Sequence, residues 1–505
     1  MSLLGIDVGT TGCKAAAFSE EGTLLASAYE EYDLLRPQPG WAELDPAHVW
    51  IKIQGTIRRA SAATASDPIR ALAVSSLGEA MVPVTADRRI VGPSIVANFD
   101  LRGEEYLDSI RTQLDEERLY AITGNTLGSN YSLPKLLWLR QHQPDLYRRA
   151  DKFLLWGGFV PYMLGASPAV DYSLANRTLL FDLEREAWSG EILDLTGVDG
   201  GKLPGAVPAG TAIGAVADQV AGELGLPRGV TVVSGAHDQC ATAIGCGVVA
   251  DGRAVYGMGT FTCITPVFSQ RRAPRLMLDR GLNTQHLAVP GKYVCFIYNP
   301  GGSLVKWFRD TFAPGGGAGG ELYDSLFAEM PQGPSGVMVL PHFAPTGPPA
   351  FISDSTGLVA GVRLETSRGE ILKGILEGIT FHLKECVDSL PPTGIEIADY
   401  RVAGGGSKSD RWVQLCADIL GQRFVRPAVA EAGALGAAII AGVGSGLYPS
   451  FEGGVEAMVR LEREFEPDLQ QHERYAEWYE LYKQLWPTTS ELLRALAARQ
   501  GRSPA

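Results

Sequence analysis

An α/β protein of two lobes is the fold class the sequence predicts, and three observations carry it. Short apolar runs at residues 3–8, 71–75, 81–84 and 230–233 alternate with helical patterns at 46–65, 103–113, 133–141 and 367–390, the order expected of helices packed on a sheet. Val8-Gly9-Thr10-Thr11-Gly12-Cys13 is echoed by Met258-Gly259-Thr260-Phe261-Thr262-Cys263, with Phe18 and Phe268 on the same register. The chain has 505 residues, enough for two or three cores at ~150 residues each. A duplicated lobe that breaks near residue 248 accounts for the repeat and the length together, giving units of residues 1–247 and 248–505.

The first strand, residues 3–8, is apolar except for Asp7 and runs into Gly9-Thr10-Thr11-Gly12. A second strand follows at 14–18, and Glu20-Glu21-Gly22 turns the chain into a third at 23–29. This order displays the backbone N–H groups of the glycine turn at one sheet edge. Later, a strand at 400–403 leads through three glycines into a helix at 410–420. Residues 314–320 (Pro-Gly-Gly-Gly-Ala-Gly-Gly) have almost no side chain to pack and read as a surface loop. Beyond Asp468, the stripe of Tyr475, Trp478, Tyr479, Tyr482 and Leu485 reads as core on helices that fold back onto a lobe.

Composition narrows the function class. Acidic residues number 57 against 44 basic ones, a net charge of −13, which disfavours non-specific nucleic-acid binding. No apolar run approaches the ~20 residues of a membrane span, and a signal peptide is not expected, because Asp7 interrupts the N-terminal apolar stretch. Seven cysteines without a C-x-x-C pair fit reduced thiols rather than a disulfide framework or a zinc site. A cytoplasmic enzyme is the expectation.

Four segments carry chemistry. In Asp7-Val8-Gly9-Thr10-Thr11-Gly12-Cys13-Lys14, the glycines and hydroxyls suit an anion-binding turn, Lys14 adds positive charge, and Asp7 suits Mg²⁺. A plain hairpin with a buried Asp is the alternative, and the second copy at Gly259-Thr260 weighs against it. Neither a Walker nor a Rossmann spacing is present. In Ser234-Gly235-Ala236-His237-Asp238-Gln239-Cys240, Asp238 follows a strand and is either a general base or the N-cap of the next helix. Gly404-Gly405-Gly406 lies at a strand-to-helix junction, where a base or ribose can rest against the backbone. Finally, Glu431-Ala432-Gly433-Ala434-Leu435-Gly436-Ala437-Ala438 reads as a helix of small residues able to pack closely.

Taken in order, these segments resemble the FGGY carbohydrate kinases nearly end to end. The series runs from Gly5-Ile6-Asp7-Val8-Gly9-Thr10-Thr11 to the small-residue helix at 431–441. Between them lie Trp41-Ala42-Glu43-Leu44-Asp45-Pro46, Lys135-Leu136-Leu137-Trp138-Leu139, the turn at Asp238, Gly259-Thr260, Gly357-Leu358-Val359-Ala360-Gly361-Val362 and Glu377-Gly378-Ile379. The resemblance implies two actin-like, ribonuclease-H-like lobes with ATP and Mg²⁺ in the cleft and the sugar held mainly by the N-terminal lobe. It further implies Asp7 as the metal-proximal carboxylate, and Thr10, Thr11, Gly12 and Lys14 as the first phosphate loop. Gly259 and Thr260 correspond to the second phosphate loop, Gly404, Gly405 and Gly406 to the adenosine turn, and Asp238 to the catalytic base. Glu79, Asn98, Asp100 and Gln239 fall on the substrate side.

Departures from the family pattern concentrate at the acceptor. Asn98 stands where the family commonly has Trp, two residues before the D-x-R aspartate Asp100. Gly78 stands where glycerol kinase has Arg, Asn130 fills a position that is usually aromatic or small, and Gly374 replaces Ala or Ser. Phosphorylation of a neutral ketose or polyol by ATP is therefore the expected activity, with a glycerol or tetritol kinase as the alternative inside the family. An actin- or chaperone-like ATPase that drives a partner is the alternative outside it. The partner expected is a small molecule rather than nucleic acid or membrane; the sequence permits a homodimer and carries no signal for one.

Overall fold

The computed structural model describes residues 1–313 and 320–501. Of the expected loop at 314–320, only Gly320 lies within the described residues, where it opens a helix at Gly320–Ala328.

Two sheets of matching design organise the chain. The first has strands β1 (Ser2–Val8), β2 (Gly12–Ser19), β3 (Leu24–Glu31), β4 (Ile69–Ser76), β5 (Ala212–Ala215) and β6 (Thr231–His237), in the order β5-β6-β4-β1-β2-β3. β1, β4 and β6 are parallel, while β2, β3 and β5 run antiparallel to their neighbours. The second sheet is built around β7 (Gly252–Met258), β8 (Phe261–Phe268), β9 (Ile297–Pro300), β10 (Ile397–Ala403), β11 (Arg423–Pro427) and β12 (Leu461–Phe465). It repeats the pattern: β7, β10 and β11 are parallel, and β8, β9 and β12 are antiparallel. The echoed Gly-Thr turns are the β1–β2 and β7–β8 hairpins.

Strand lengths follow side-chain chemistry. β1 and β4 are buried along nearly their whole length and lack the alternation of a half-exposed strand, as expected of parallel strands covered on both faces. The strand expected at 230–233 continues to His237, with a register shift between Val233 and Ala236 where a Cβ on Gly235 would overlap the Val74 carbonyl of β4.

The helices that place the site follow from local signals. α1 (Pro46–Ala63) begins with Pro at its first position, and Asp45 Oδ1 accepts the N–H groups of Ala47 at 2.9 Å and His48 at 3.2 Å. Further elements are α2 (Ser132–His142), α3 (Asp238–Gly245), α4 (Gly302–Phe312), α5 (Arg368–Asp388), α6 (Asp410–Leu420), α7 (Ala432–Gly444) and α8 (Leu469–Tyr482). The helix expected at 103–113 is divided into a 3₁₀ turn at Glu104–Tyr106 and an α-helix at Leu107–Gln113. On α8, Tyr475, Tyr479 and Tyr482 are buried against Phe381 of α5, with ring centroids 6.2, 5.6 and 5.3 Å apart, so the aromatic stripe is core.

α7 belongs to the second half of the sequence yet packs on β1, β4 and β6 of the first sheet and along α3. The contact is backbone on backbone. A Cβ added to Gly5 would overlap the Ala434 carbonyl, one on Gly245 the Ala432 carbonyl, and one on Gly436 the Ala241 carbonyl. Around it, one apolar cluster joins Leu3, Val233 and Cys240 to Val255, Val267, Leu287 and Ile439. Overpacking such a contact costs ~1–3 kcal/mol. Gly436→Ala should therefore lower the unfolding free energy by the upper end of that range, read as a fall in the urea midpoint, whereas Gly190→Ala, with nothing within 4 Å of the new methyl, should leave it unchanged.

Candidate active site

The parallel strands of each sheet end on the same side, and the candidate residues lie at those ends. In the first sheet, Asp7 pairs with Ser75 in register, Ser75 with Ala236, and Ser76 with His237. Asp7 is thus one residue from the end of β1, and Asp238 is the first residue beyond β6. Asp238 opens α3, whose cap position is His237, and no side chain caps that helix. Asp238 is not an N-cap. Its side chain keeps 35% of its surface open at the end of β6 while protein encloses the rest.

The two carboxyls influence one another. Burial raises Asp238 to about 6. Burial likewise raises Asp7 to about 6, the Asp238 charge adds to the rise, and the Ser75 hydroxyl, donating to Asp7 Oδ1 at 2.8 Å, opposes it. Asp7 also meets the start of α7, where a Cβ on Gly433 would stand 3.1 Å from Asp7 Oδ2. His237 is held neutral, its pKa lowered to about 3 by burial and by Arg177. Its Nε2 lies 3.4 Å from Asp238 Oδ1, and its buried Nδ1 has no partner among the described residues.

Thr10 and Thr11 lie in the turn between β1 and β2, and Gly12 opens β2. The Tyr32 hydroxyl reaches both ends of the turn, at 2.6 Å from Gly9 O and 2.9 Å from Gly12 O. Sequence reasoning missed this brace. Lys14 forms an ion pair with Glu431, the residue that precedes α7, so its charge is shared with the second half of the chain rather than free. Gly259 and Thr260 form the matching turn, and their carbonyls receive the first N–H groups of α4: Gly302 N donates to Gly259 O at 3.0 Å, and Gly301 N and Ser303 N to Thr260 O, each at 3.1 Å.

At the ends of β10 and β11 lies a cavity of about 310 Å³ bordered by Gly404, Ser407, Lys408, Arg426, Val429 and Glu462. Gly404 has φ 86°, and a Cβ there would lie 2.9 Å from the Met258 carbonyl; the turn is flush with the β7 hairpin. Gly405 has open space above it. Of the three glycines, Gly404 lines the cavity directly.

Among the residues expected on the substrate side, Glu79 is buried with a left-handed φ of 59°, an unusual backbone for Glu that surrounding structure must hold. Asn98 Nδ2 donates to Glu79 Oε2 at 3.3 Å. Arg177, which sequence reasoning did not single out, pairs with Glu79 Oε1 through Nε and Nη2. Tyr131 and Phe296 flank its guanidinium, their ring centroids 5.1 and 5.7 Å away, and Phe296 also packs on His237 at 5.4 Å. The absence of a side chain at Gly78 has a spatial reason: a Cβ there would come within 3.0 Å of His237 and 3.2 Å of Arg177. Gln239 follows Asp238 on α3 and is half-buried.

Asp100 corrects an expectation. Its side chain is fully enclosed; Oδ2 accepts from Ala42 N at 2.7 Å and Arg102 Nη2 at 2.6 Å, and Oδ1 accepts from Arg102 N at 2.9 Å. Arg102 also reaches Glu43 at 2.7 Å and stacks on Trp41 at 4.0 Å. Asp100 therefore braces the segment that presents Asn98 and does not itself face Glu79.

Two repeated sheets, carboxyls at the strand ends of one and a nucleoside-sized cavity at the strand ends of the other define a two-lobed phosphotransferase of actin-like fold. The description "FGGY family of carbohydrate kinases, N-terminal domain" matches residues 2–245, and its C-terminal counterpart matches residues 288–445. The chain belongs to the FGGY family of carbohydrate kinases; it is an ATP-dependent kinase with an alcohol group as acceptor. It is 29% identical to a xylulose kinase of Staphylococcus epidermidis over 499 residues, covering 97% of each chain. It is 30% identical to a glycerol kinase of Polaromonas sp. over 487 residues, covering 92% of this chain and 95% of the relative. The crystal structure of a xylulose kinase from Rhodospirillum rubrum superposes with a TM-score of 0.87 at 26% identity, covering 98% of this chain and all of that one.

The raised carboxyls give a pH signature. If Asp238, raised to about 6, is the base, it must be ionised to act, and kcat/KM should fall as pH drops below about 6. Because the folded-state value lies above the unfolded one, the neutral carboxyl is the form the fold favours, and stability from this group is lost as pH rises through 6. Asp238→Asn should accordingly melt higher than wild type at pH 8, with the advantage fading toward pH 5. A melting difference that is the same at both pH values would show that the group titrates as it does in the unfolded chain.

Proposed function

We propose that the two lobes, divided at residues 247 and 248, transfer the γ-phosphoryl group of ATP to a hydroxyl of a neutral ketose or polyol, with Asp238 as the base. The observation that carries this reading is the placement of Asp238: outside the cap position, partly exposed at the end of β6, beside Asp7, and on the same lobe as Glu79, Asn98 and Gln239. Xylulose kinases and glycerol kinases both stand among the relatives, which supports polyhydroxyl acceptors of either kind.

The residues present fit both groups that the family implies. The cavity beside Gly404 is large enough for a nucleoside and has Lys408 and Arg426 at its border. Asp7 offers hard oxygen ligands of the kind Mg²⁺ prefers, and Gly433 brings no side chain against its Oδ2. When bound, ATP supplies the phosphoryl group and Mg²⁺ neutralises its charge. The chain's own part is to hold and to take a proton. Glu79 and Asn98 accept and donate hydrogen bonds to acceptor hydroxyls. Asp238 takes the proton of the reacting hydroxyl, making its oxygen a competent nucleophile. The turns at Thr10 and Thr260 keep backbone groups close to where phosphate charge develops. Seven free thiols suit a reducing medium, and no helix among the described residues is long and apolar enough to cross a membrane; we assign the protein to the cytoplasm.

A positioned base gives ~10²–10⁴-fold in rate. Asp238→Asn should bind ATP and acceptor as wild type does, read by calorimetry, and release ADP slower by that factor; full turnover in the variant would remove Asp238 from the chemistry. A coupled ADP-release screen over pentuloses, hexuloses, tetritols, pentitols and glycerol identifies the acceptor.

A further inference from the structure

The base and the acceptor carboxylate are held by the same short piece of chain. A strand at Ala169–Asp171 runs into a helical turn at Tyr172–Ala175 and a 3₁₀ turn at Asn176–Thr178. Asp171 Oδ1 accepts the Ser173 N–H at 2.8 Å, the Leu174 N–H at 3.2 Å and the Ser173 hydroxyl. The Ser173 proton is thereby committed to Asp171, and its oxygen is left only as an acceptor. It accepts the backbone N–H of His237 at 2.9 Å. That N–H belongs to the cap residue of α3, one position before Asp238, at a helix start with no side-chain cap of its own.

Four residues after Ser173, Arg177 makes the second attachment. Both of its bonding nitrogens go to one oxygen of Glu79, leaving the other oxygen to Asn98 and to an incoming hydroxyl. The guanidinium cannot swing away, because Tyr131 from the first half of the chain and Phe296 from the second flank it. Between the two attachments, Asn176 anchors the segment itself: its Oδ1 accepts the His286 N–H at 2.9 Å, and its carbonyl accepts Asn125 Nδ2 at 2.8 Å. Asp171, Ser173, Asn176 and Arg177 are all buried.

Resting on the kinase reading above, we propose that residues 171–178 form a two-point clamp that sets the separation of Asp238 and Glu79, with Ser173 and Arg177 as its positioning residues. Ser173 acts on the base through the first turn of α3. Arg177 acts on the acceptor through the orientation of Glu79. Neither touches the reacting atoms, so their effects divide between kcat and the acceptor KM. Loss of the Ser173 bond lets the helix start move and slows the chemical step. Loss of Arg177 frees Glu79 to rotate and weakens acceptor binding.

Steady-state ADP release by the full-length protein, with ATP and the best acceptor of the screen, tests the clamp. Ser173→Ala should lower kcat about tenfold, the equivalent of one neutral hydrogen bond, with both KM values within about twofold of wild type. Arg177→Gln should raise the acceptor KM by roughly 10–100-fold, as expected for a charge-assisted pair, and leave the KM for ATP unchanged. Ser173→Thr, which keeps the hydroxyl, should restore kcat. Arg177→Lys should restore the acceptor KM only in part, because a point charge replaces a planar fork. If Ser173→Ala does not fold, Ser173→Cys keeps the shape, weakens the acceptor and reads the same kcat loss. Variants that melt lower but keep wild-type kcat and acceptor KM per folded molecule would overturn the clamp. Wild-type protein without acceptor-dependent ADP release would instead overturn the kinase reading, and the clamp's catalytic role with it.

Discussion

Placing a helix from one half of the chain on the sheet of the other requires bare backbone at the contact, and the site depends on that requirement. Gly5, Gly245 and Gly436 let α7 descend onto β1 and α3 until carbonyls fill the space where Cβ atoms would be. Its start then lies over Asp7 through Gly433, and Glu431 meets Lys14. A helix standing one methyl further out would move the turn at Thr10 relative to the second half of the chain. The apolar cluster around this contact draws on both halves, so burial there holds the lobes together as well as the sheet.

Much of this was legible in the residues. The Gly-Thr echo marked two hairpins of the same design, and the structure shows the wider repeat beneath it, three parallel strands flanked by antiparallel ones in each sheet. The aromatic stripe of α8 was readable as core from spacing alone. Asp238 was visible as a candidate, but its choice between base and cap depended on where β6 ends, and a run of small residues at 234–236 hides that boundary from apolar patterning. Arg177 could not be found from its own neighbourhood, because its partner Glu79 lies 98 positions away. The Arg102 knot misled for a related reason: Asp100 and Arg102 sit in a substrate-side segment, yet their charges are spent on each other, on Glu43 and on the N–H of Ala42.

Charge in the cleft is arranged economically. Four carboxylates, Asp7, Asp238, Glu79 and Glu431, face two cations, of which Lys14 is paired with Glu431 and Arg177 with Glu79. Glu79 is therefore compensated, whereas Asp7 and Asp238 are left close together with burial acting on both. Such a pair tolerates full ionisation better once positive charge arrives. Neutral acceptors suit this balance, and His237, kept uncharged, adds hydrogen-bonding capacity without disturbing it.

The long return path of α7 has a consequence in time. As the chain leaves the ribosome, β1 through β6 and α3 emerge first, and the helix that covers them is encoded about two hundred residues later. At ~5–20 residues per second, that interval lasts roughly ten to forty seconds. Throughout it, the glycine-lined groove above β1 stays uncovered, and Gly5, Gly245 and the apolar residues beside them are open to water and to other chains. The first sheet is thus completed only when residues 432–444 arrive to cover it.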